Sequence, residues 1–327
     1  MDQKPNRRDM LKTTGIAMAG IVGVSATLPT TAESKTKKQD KTRVMTIAHM
    51  TDIHIQPERS AEKWLAKCFH HVQSQKPAPD FILNSGDCIM DSLGANKNRV
   101  KTLWECWKKT CQNECSLQIE NCIGNHDVWG WAMKEKEKKI NQNDPLWGKA
   151  WAMESLGLES RYRSFDKNGW HFIVLDSTCE TEDADYIAKL DDEQFLWLEK
   201  DLESTPAETP VLVISHIPIM AACAFFDGEN EKTGNWVVPG RWVHIDARRI
   251  KDLFLEHPNV KICLSGHIHL KDRVDYNNVT YLCNGAVCGG WWKGNYQETP
   301  PGYALVHLFN DGTFDYSYET YGWKAKK

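Results

Sequence analysis

The sequence lacks the excess of positive charge on which proteins that coat nucleic acids or bind membrane surfaces depend. Its 327 residues include 40 lysines and arginines and 44 aspartates and glutamates, so the formal net charge is −4. Both kinds of binding require dense positive charge near phosphates. We therefore expect neither a nucleic-acid coat protein nor a membrane-surface binder.

Paired cysteine motifs, internal repeats and low-complexity tracts are also missing. The chain has 11 cysteines but no C-x-x-C pair, which argues against a structural zinc knuckle. An odd number leaves at least one thiol unpaired if all the others join, and the pairings cannot be read from the sequence. With 41% hydrophobic and 26% charged residues, the chain has a globular composition, and one large domain is the default expectation.

The apolar run near the N-terminus, residues 15–28, is too short to span a bilayer. It follows a polar start with Arg7-Arg8 and Lys12 and precedes the small residues Thr30-Thr31-Ala32, which suit cleavage. This arrangement resembles a bacterial twin-arginine (Tat) export signal more than a disordered basic tail. We expect a signal peptide in residues 1–32, a charged linker in 33–43, and export to the periplasm or cell exterior with the Tat machinery as a partner.

Apolar strands alternate with helical segments along the rest of the chain, starting near Val44. The runs that predict strands are 44–50, 81–83, 117–123, 170–175, 211–215 and 260–264. Apolar residues recur at helical spacing between them, for example in 64–72, 191–203 and 246–256. This alternation predicts an α/β fold. We expect the domain 44–327 to include a helical insertion at about 128–160 and C-terminal hairpins in 271–327.

A short polar motif follows directly on each of five predicted strands. The motifs are Asp52-Ile53-His54, Gly86-Asp87, Gly124-Asn125-His126-Asp127, Ser215-His216 and Gly266-His267-Ile268-His269. Strand ends in α/β sheets converge on one crevice, so residues far apart in the sequence can meet there. Five such motifs therefore predict a functional site at one sheet edge.

The residue types in these motifs are those of a metal site. Asp, His and the Asn carbonyl form a ligand set suited to Mn, Fe or Zn rather than to thiolate-bound metals. Asp52 and His54 are two residues apart, as are His267 and His269. Both side chains of each pair therefore point to the same side of an extended segment and can chelate. The glycines within three of the motifs allow sharp turns and a close approach of the backbone.

Taken in order, D-x-H, G-D, G-N-H-D, a lone His and G-H-x-H resemble the motifs of the calcineurin-like metallophosphoesterase superfamily. The resemblance covers roughly residues 45–270 and is greatest to compact exported bacterial members of the cyclic-nucleotide phosphodiesterase type. It implies the metallo-dependent phosphatase fold. This fold is a four-layer αββα sandwich in which helices flank two mixed β-sheets.

The same resemblance implies two metal ions and assigns their ligands. One ion would be bound by Asp52, His54, Asp87 and His269, and the other by the shared Asp87 together with Asn125, His216 and His267. His126 would bind no metal but would act as general acid or transition-state stabiliser, with Asp127 orienting it.

The implied reaction is metal-dependent hydrolysis of a small phosphoester. Two divalent or mixed-valence ions (Mn, Fe or Zn) would hold the phosphoryl oxygens and generate a bridging hydroxide, while His126 would protonate the leaving group. The substrate would be a phosphodiester or a phosphomonoester. The alternatives are a nucleotide or phospholipid-headgroup phosphatase and, in another class, a catalytically inactive metal-binding scaffold.

Several positions outside the motifs bear on these alternatives. Met90 stands where purple acid phosphatases of the same superfamily carry an iron-binding tyrosine, so tyrosinate-bound iron is not expected. Trp291 and Trp292 follow two glycines and either stack on a base or sugar in the cleft or pack in the core. Asp91 and Arg99 are expected in a solvated loop rather than at the substrate.

Overall fold

The computed structural model describes residues 40–181 and 186–325. The predicted signal peptide, residues 1–32, and residues 33–39 of the predicted linker lie outside the described residues. The first strand begins at Arg43. Among the helices of this described part, none combines the length and the apolar character that crossing a bilayer requires.

One mixed sheet, sheet I, has five strands. They are β1 (Arg43–Met50), β2 (Phe81–Asn84), β3 (Ile119–Asn121), β12 (Tyr303–Phe309) and β13 (Phe314–Glu319). Their order across the sheet is β13-β12-β1-β2-β3. β1, β2 and β3 are parallel, whereas β12 is antiparallel to both of its neighbours.

The other mixed sheet, sheet II, has six strands. They are β4 (Arg163–Lys167), β5 (Trp170–Val174), β8 (Val211–Ile214), β9 (Val260–Ser265), β10 (Asp272–Tyr276) and β11 (Val279–Cys283). Their order is β10-β11-β9-β8-β5-β4. The four central strands are parallel and the two outer strands, β4 and β10, are antiparallel to their neighbours. A separate small hairpin joins β6 (Thr178–Glu180) and β7 (Tyr186–Ala188).

In residues 40–181 and 186–325, six α-helices connect or cover the strands. They are α1 (Ala61–Gln73), α2 (Lys97–Glu114), α3 (Glu135–Asn141), α4 (Ala150–Leu156), α5 (Asp192–Ser204) and α6 (Ala247–Glu256). The side chain of Asp191 caps α5 by accepting a hydrogen bond from the backbone N–H of Gln194, at 2.9 Å. The helices α3 and α4 lie in the long segment between β3 and β4.

The two sheets pack face to face through alternate residues of their strands. Ile47 and Phe81 of sheet I belong to one buried cluster with Phe172, Leu212 and Leu264 of sheet II. Successive side chains of a strand point to opposite faces, so the intervening residues face outward. Burial of each such side chain contributes about 1.5–3 kcal/mol.

Helices cover the outer face of each sheet. On sheet I, Ala48 and Ile82 share a cluster with Phe69 of α1 and Leu103 of α2. On sheet II, the outer residues of β5 and β8 pack against α5 and α6. The predicted four-layer αββα sandwich is therefore confirmed.

Candidate metal centre and cleft

The five motifs lie together at one edge of the sandwich. The loops after β1 and β2 are joined by a hydrogen bond from the backbone N–H of Ile53 to the carbonyl of Asp87, at 2.9 Å. The loops after β8 and β9 are joined in the same way, and the N–H of Gly266 lies 3.0 Å from the carbonyl of His216. The Nδ1 atom of His216 lies 3.0 Å from the carbonyl of Ser85, which links the two sheets at this edge.

A first group of potential ligand atoms forms around His54. Its Nε2 atom lies 3.2 Å from Nε2 of His269 and 3.6 Å from Oδ2 of Asp87. The Nε2 atom of His269 lies 3.3 Å from Oδ1 of Asp52. All four side chains are buried, and they are the four that the resemblance assigns to one ion.

A second group forms around His216. Its Nε2 atom lies 3.0 Å from Oδ1 of Asn125, 3.3 Å from Oδ2 of Asp87 and 3.3 Å from Nδ1 of His267. Asp87 Oδ2 thus faces both groups, because it is also near His54. The structure therefore brings all seven predicted ligands together, with Asp87 between the two groups.

Backbone carbonyls orient three of the histidines. The Nδ1 atoms of His54, His216 and His269 lie 3.1, 3.0 and 2.6 Å from the carbonyls of Met90, Ser85 and Gly289. A proton on each Nδ1 makes these contacts hydrogen bonds and leaves Nε2 as a lone-pair donor. Metal-binding histidines are commonly held this way.

The polar atoms at this site fit a cation. Oδ1 of Asp52 is buried without a hydrogen-bond partner, whereas its Oδ2 accepts from Thr51 and from the backbone N–H of His267. Burial lowers the pKa of His216, but the carboxylate of Asp87 more than offsets this and raises it to about 9. The site therefore favours positive charge beside Asp87, and its N and O donors suit Mn, Fe or Zn.

The thiol of Cys288 also lies beside His54 and His269. The side chain is buried, and this burial raises the pKa of the thiol. Since metals bind the thiolate form, the carboxylate and imidazole groups remain the preferred ligands.

The ligands are held on a strained backbone. Asp52, His54, Asp87, His267 and His269 all have positive φ, between 47° and 71°. Such conformations cost about 1–3 kcal/mol each when adopted by residues other than glycine and are concentrated at functional sites. The loops therefore place these side chains against local preference, and the surrounding packing maintains them.

Two glycines of the motifs are required by close contacts with ligands. A Cβ atom on Gly124 would lie 2.1 Å from Oδ1 of Asp87, and one on Gly266 would lie 2.3 Å from Oδ2 of Asp52. Any larger residue would displace these carboxylates. These two glycines are therefore needed because they have no side chain and leave room for the carboxylates, not because they adopt an unusual backbone conformation.

His126 lies beside the ligands but outside both groups. Its ring centroid is 5.0 Å from that of His54, nearly perpendicular to it, and its backbone N–H donates to Asp87 at 2.8 Å. Its side chain retains 26% exposure and lines the cleft above the site. Burial lowers the pKa of His126, but Asp87 and Asp91 more than offset this, so the net shift is upward.

The structure does not place the carboxylate of Asp127 against the imidazole of His126, which the resemblance implied that it orients. The carboxylate of Asp127 is buried and accepts from the backbone N–H groups of Gly124, Cys88 and Ile89, at 2.9–3.2 Å. In this way Asp127 holds two motif loops together, and its role toward His126 stays a prediction. Burial, followed by the charge of Asp87, raises its pKa to about 7.

Asp91 contacts His126 instead. Its Oδ1 atom lies 3.1 Å from Nδ1 of the imidazole, and it lines the cleft. The sequence analysis placed Asp91 in a solvated loop and so did not predict this contact. The only signal in the sequence was the position of Asp91 shortly after the G-D motif. Arg99 lies in α2 rather than in a loop; it forms a two-pronged ion pair with Glu58 and does not line the cleft.

A cleft of about 790 Å³ opens from the ligands. Its lining includes Asp87, His126 and His269, together with Trp291. Trp292 is buried, and its indole N–H donates to the carbonyl of His54 at 2.9 Å. The two interpretations of the tryptophan pair thus apply to one residue each, with Trp291 in the cleft and Trp292 in the core.

Comparison with known proteins identifies the family to which this site belongs. The sequence pattern of the calcineurin-like phosphoesterases matches residues 45–271, which include all five motifs. The chain belongs to the calcineurin-like phosphoesterase family. The resemblance inferred from the motifs is thereby confirmed, and this calcineurin-like phosphoesterase is a metal-dependent phosphoester hydrolase.

Two relatives of this calcineurin-like phosphoesterase match most of its length. A 3′,5′-cyclic-nucleotide phosphodiesterase from Nostoc sp. is 26% identical over 289 residues, which are 83% of this chain and 90% of that protein. A probable glycerophosphodiester phosphodiesterase from Arcobacter nitrofigilis is 24% identical over 247 residues, 73% of this chain and 77% of that protein.

A dimetal phosphatase from Danio rerio shares the fold. It superposes with a TM-score of 0.58 at 13% sequence identity and covers 86% of this chain and 100% of its own. At this identity the likeness establishes the architecture alone.

Proposed function

We propose that the protein hydrolyses phosphodiesters at a dinuclear metal centre. The observation that carries this proposal is the pair of ligand groups that meet at Asp87, whose Oδ2 atom lies 3.6 Å from Nε2 of His54 and 3.3 Å from Nε2 of His216. One ion would be held by Asp52, His54, Asp87 and His269, and the other by Asp87, Asn125, His216 and His267. The N and O donors suit Mn, Fe or Zn.

Two such ions would hold the phosphoryl oxygens and would lower the pKa of a bound water. The chain supplies the remaining chemistry through His126. This residue has a partly exposed ring in the cleft, next to the ligands, and its Nδ1 is held by Asp91. It is therefore placed to give a proton to the leaving oxygen or to stabilise its charge.

The charge of the cleft favours a diester over a monoester. Arg241 is the only lysine or arginine among the described residues that line it, and the carboxylates of Asp91 and Asp227 line it too. A dianionic monoester would find little compensation beyond the metals, whereas a diester carries one negative charge. Both relatives that match most of the chain are named as phosphodiesterases, which supports the same preference.

The nucleotide and phospholipid-headgroup phosphatase alternatives require a monoester, so the same charge argument disfavours them. An inactive scaffold is disfavoured because all seven predicted ligands lie together in two adjoining groups and His126 lies beside them in the cleft. No observation favours either alternative over a phosphodiesterase.

The proposal is tested with bis-p-nitrophenyl phosphate and p-nitrophenyl phosphate in the presence of Mn²⁺. We expect the diester to be the better substrate by kcat/KM. Faster turnover of the monoester would point to a phosphatase, and metal binding without turnover of either would point to the scaffold.

Two variants test the assignment of roles at the site. Asn125→Ala is expected to lose about one metal equivalent, whereas His126→Ala keeps both but loses about 10²–10⁴-fold in kcat. Metal content is measured on the purified proteins, and His70→Ala, on the exposed face of α1, serves as the control. Full activity of His126→Ala would contradict its role.

A further inference from the structure

The indole of Trp291 covers one of the predicted metal ligands and also faces the cleft. Its ring centroid is 4.5 Å from that of His269, and the two planes are tilted by 32°. The side chain is half-buried and lines the cleft. A planar group bound there would lie close to the phosphoryl site.

The backbone holds Trp291 in this position at a conformational cost. Both Trp291 and Trp292 have positive φ, 50° and 60°, which residues other than glycine rarely adopt. Trp292 anchors the turn, because its indole donates to His54 and its ring packs at 5.4 Å, nearly perpendicular, against Trp323. A strained turn that buries Trp292 and presents the preceding Trp291 to the cleft is typical of a functional position.

Tyr296 forms a second aromatic wall. Its ring is perpendicular to that of Trp291, with centroids 5.4 Å apart. Its hydroxyl donates to Oδ1 of Asp227 at 2.5 Å, which ties the loop after β11 to the loop after β8. The ring of Tyr296, which its hydrogen bond to Asp227 holds in place, thus borders one end of the Trp291 indole.

We propose that Trp291 is a stacking platform for a planar ring carried by one ester group of the substrate. The preferred substrates are then phosphodiesters that contain a nucleobase, and glycerophosphodiesters are poorer. Every nucleobase has a π-face, and stacking of that face on an aromatic side chain contributes to binding. This inference rests on the proposed phosphodiesterase function.

The test is the ratio of kcat/KM for 3′,5′-cyclic AMP to kcat/KM for glycerophosphoethanolamine, measured for the wild type and two variants. Trp291→Ala is expected to lower this ratio about 10-fold, and Trp291→Phe to restore most of it. Trp236→Ala removes an exposed tryptophan outside the cleft lining and should leave the ratio unchanged.

A purely structural role of Trp291 gives a different result. If the indole only supports His269, Trp291→Ala loses metal and lowers both rates equally, so an unchanged ratio with reduced metal content overturns the platform. Turnover of neither diester by the wild type would overturn the proposed function instead. In that case calorimetric titration of the wild type and Trp291→Ala with 5′-AMP and with glycerol 3-phosphate still tests whether Trp291 is a stacking platform. Only the binding of 5′-AMP should weaken in the variant.

Discussion

His126 depends on a neighbour that holds its ring. Asp91 contacts Nδ1 at 3.1 Å, which fixes the imidazole, and within the described part of the chain no hydrogen bond occupies its Nε2 atom. A catalytic group misplaced by about 1 Å loses much of its effect. Asp91 is therefore a positioning residue, which acts on the substrate only through His126.

We predict that Asp91→Ala lowers kcat about 10-fold without loss of metal and with little change in KM. Asp91→Glu should recover part of the rate, because it restores a carboxylate. The decisive measurement is the double variant with His126→Ala. It should be no slower than His126→Ala alone, and an additional 10-fold loss would mean that Asp91 acts independently of His126.

The seven ligand positions were predictable because each lies in a short motif with fixed spacing after an apolar strand. Asp91 lies in no such motif. A single aspartate in a polar loop looks the same in the sequence whether or not its carboxylate contacts a histidine in the fold. Trp291 and Trp292 are adjacent and chemically identical. Both residues adopt positive φ in a tight turn, and no local sequence pattern predicts this turn or which of the two indoles it directs into the cleft.

At the scale of elements, strands were predictable where they are apolar on both faces. β5 and β8 are buried throughout, since they are covered by the other sheet and by helices. β4, with the sequence RSFDK, lies at a sheet edge and is only partly buried. Because it contains polar residues, the apolar pattern did not predict it as a strand. Strand order was not predictable either, because it results from packing between segments distant in the sequence.

One ion-pair group joins three of these elements. His171 of β5 is bonded through Nδ1 to Asp166 of β4, at 2.7 Å, and through Nε2 to Asp201 of α5, at 2.9 Å. Burial lowers the pKa of His171, but the carboxylates of Asp201 and Asp166 more than offset this and raise it. The folded protein therefore binds this proton more tightly than the unfolded chain.

We predict that His171→Gln destabilises the protein by about 1 kcal/mol at pH 6 and by less at pH 9. The stabilisation is fully present below the unfolded pKa, about 6.5, and is lost as the pH rises through the elevated folded pKa. Urea unfolding at both pH values measures the difference, with His257→Gln, at the end of α6, as the control. A larger loss at pH 9 than at pH 6 would contradict the charged pairing.

At the scale of the whole molecule, the fold brings together residues that no local segment contains. Ligands from sheet I and sheet II meet because the sheets pack face to face, and a contact between His216 and the carbonyl of Ser85 links the two sheets at this edge. The cleft is then closed by loops after β8 and β11, joined through Tyr296 and Asp227. The metal centre depends on the packing of two sheets, whereas substrate selection depends on two loops that can vary without altering it.

The segment that precedes this domain supports a proposal about where the protein works. We propose export through the Tat pathway, on the basis of Arg7-Arg8, Lys12 and the apolar run 15–28. Replacing Arg7-Arg8 by Lys-Lys keeps the charge but removes the guanidinium pair, so we predict that the full-length precursor accumulates inside bacterial cells. Immunoblots of periplasmic and cytoplasmic fractions measure this, and Lys37-Lys38 replaced by Arg-Arg is the charge-matched control. Unchanged export of the Lys-Lys variant would rule out the Tat pathway, and a wild type retained inside with an intact N-terminus would rule out export itself.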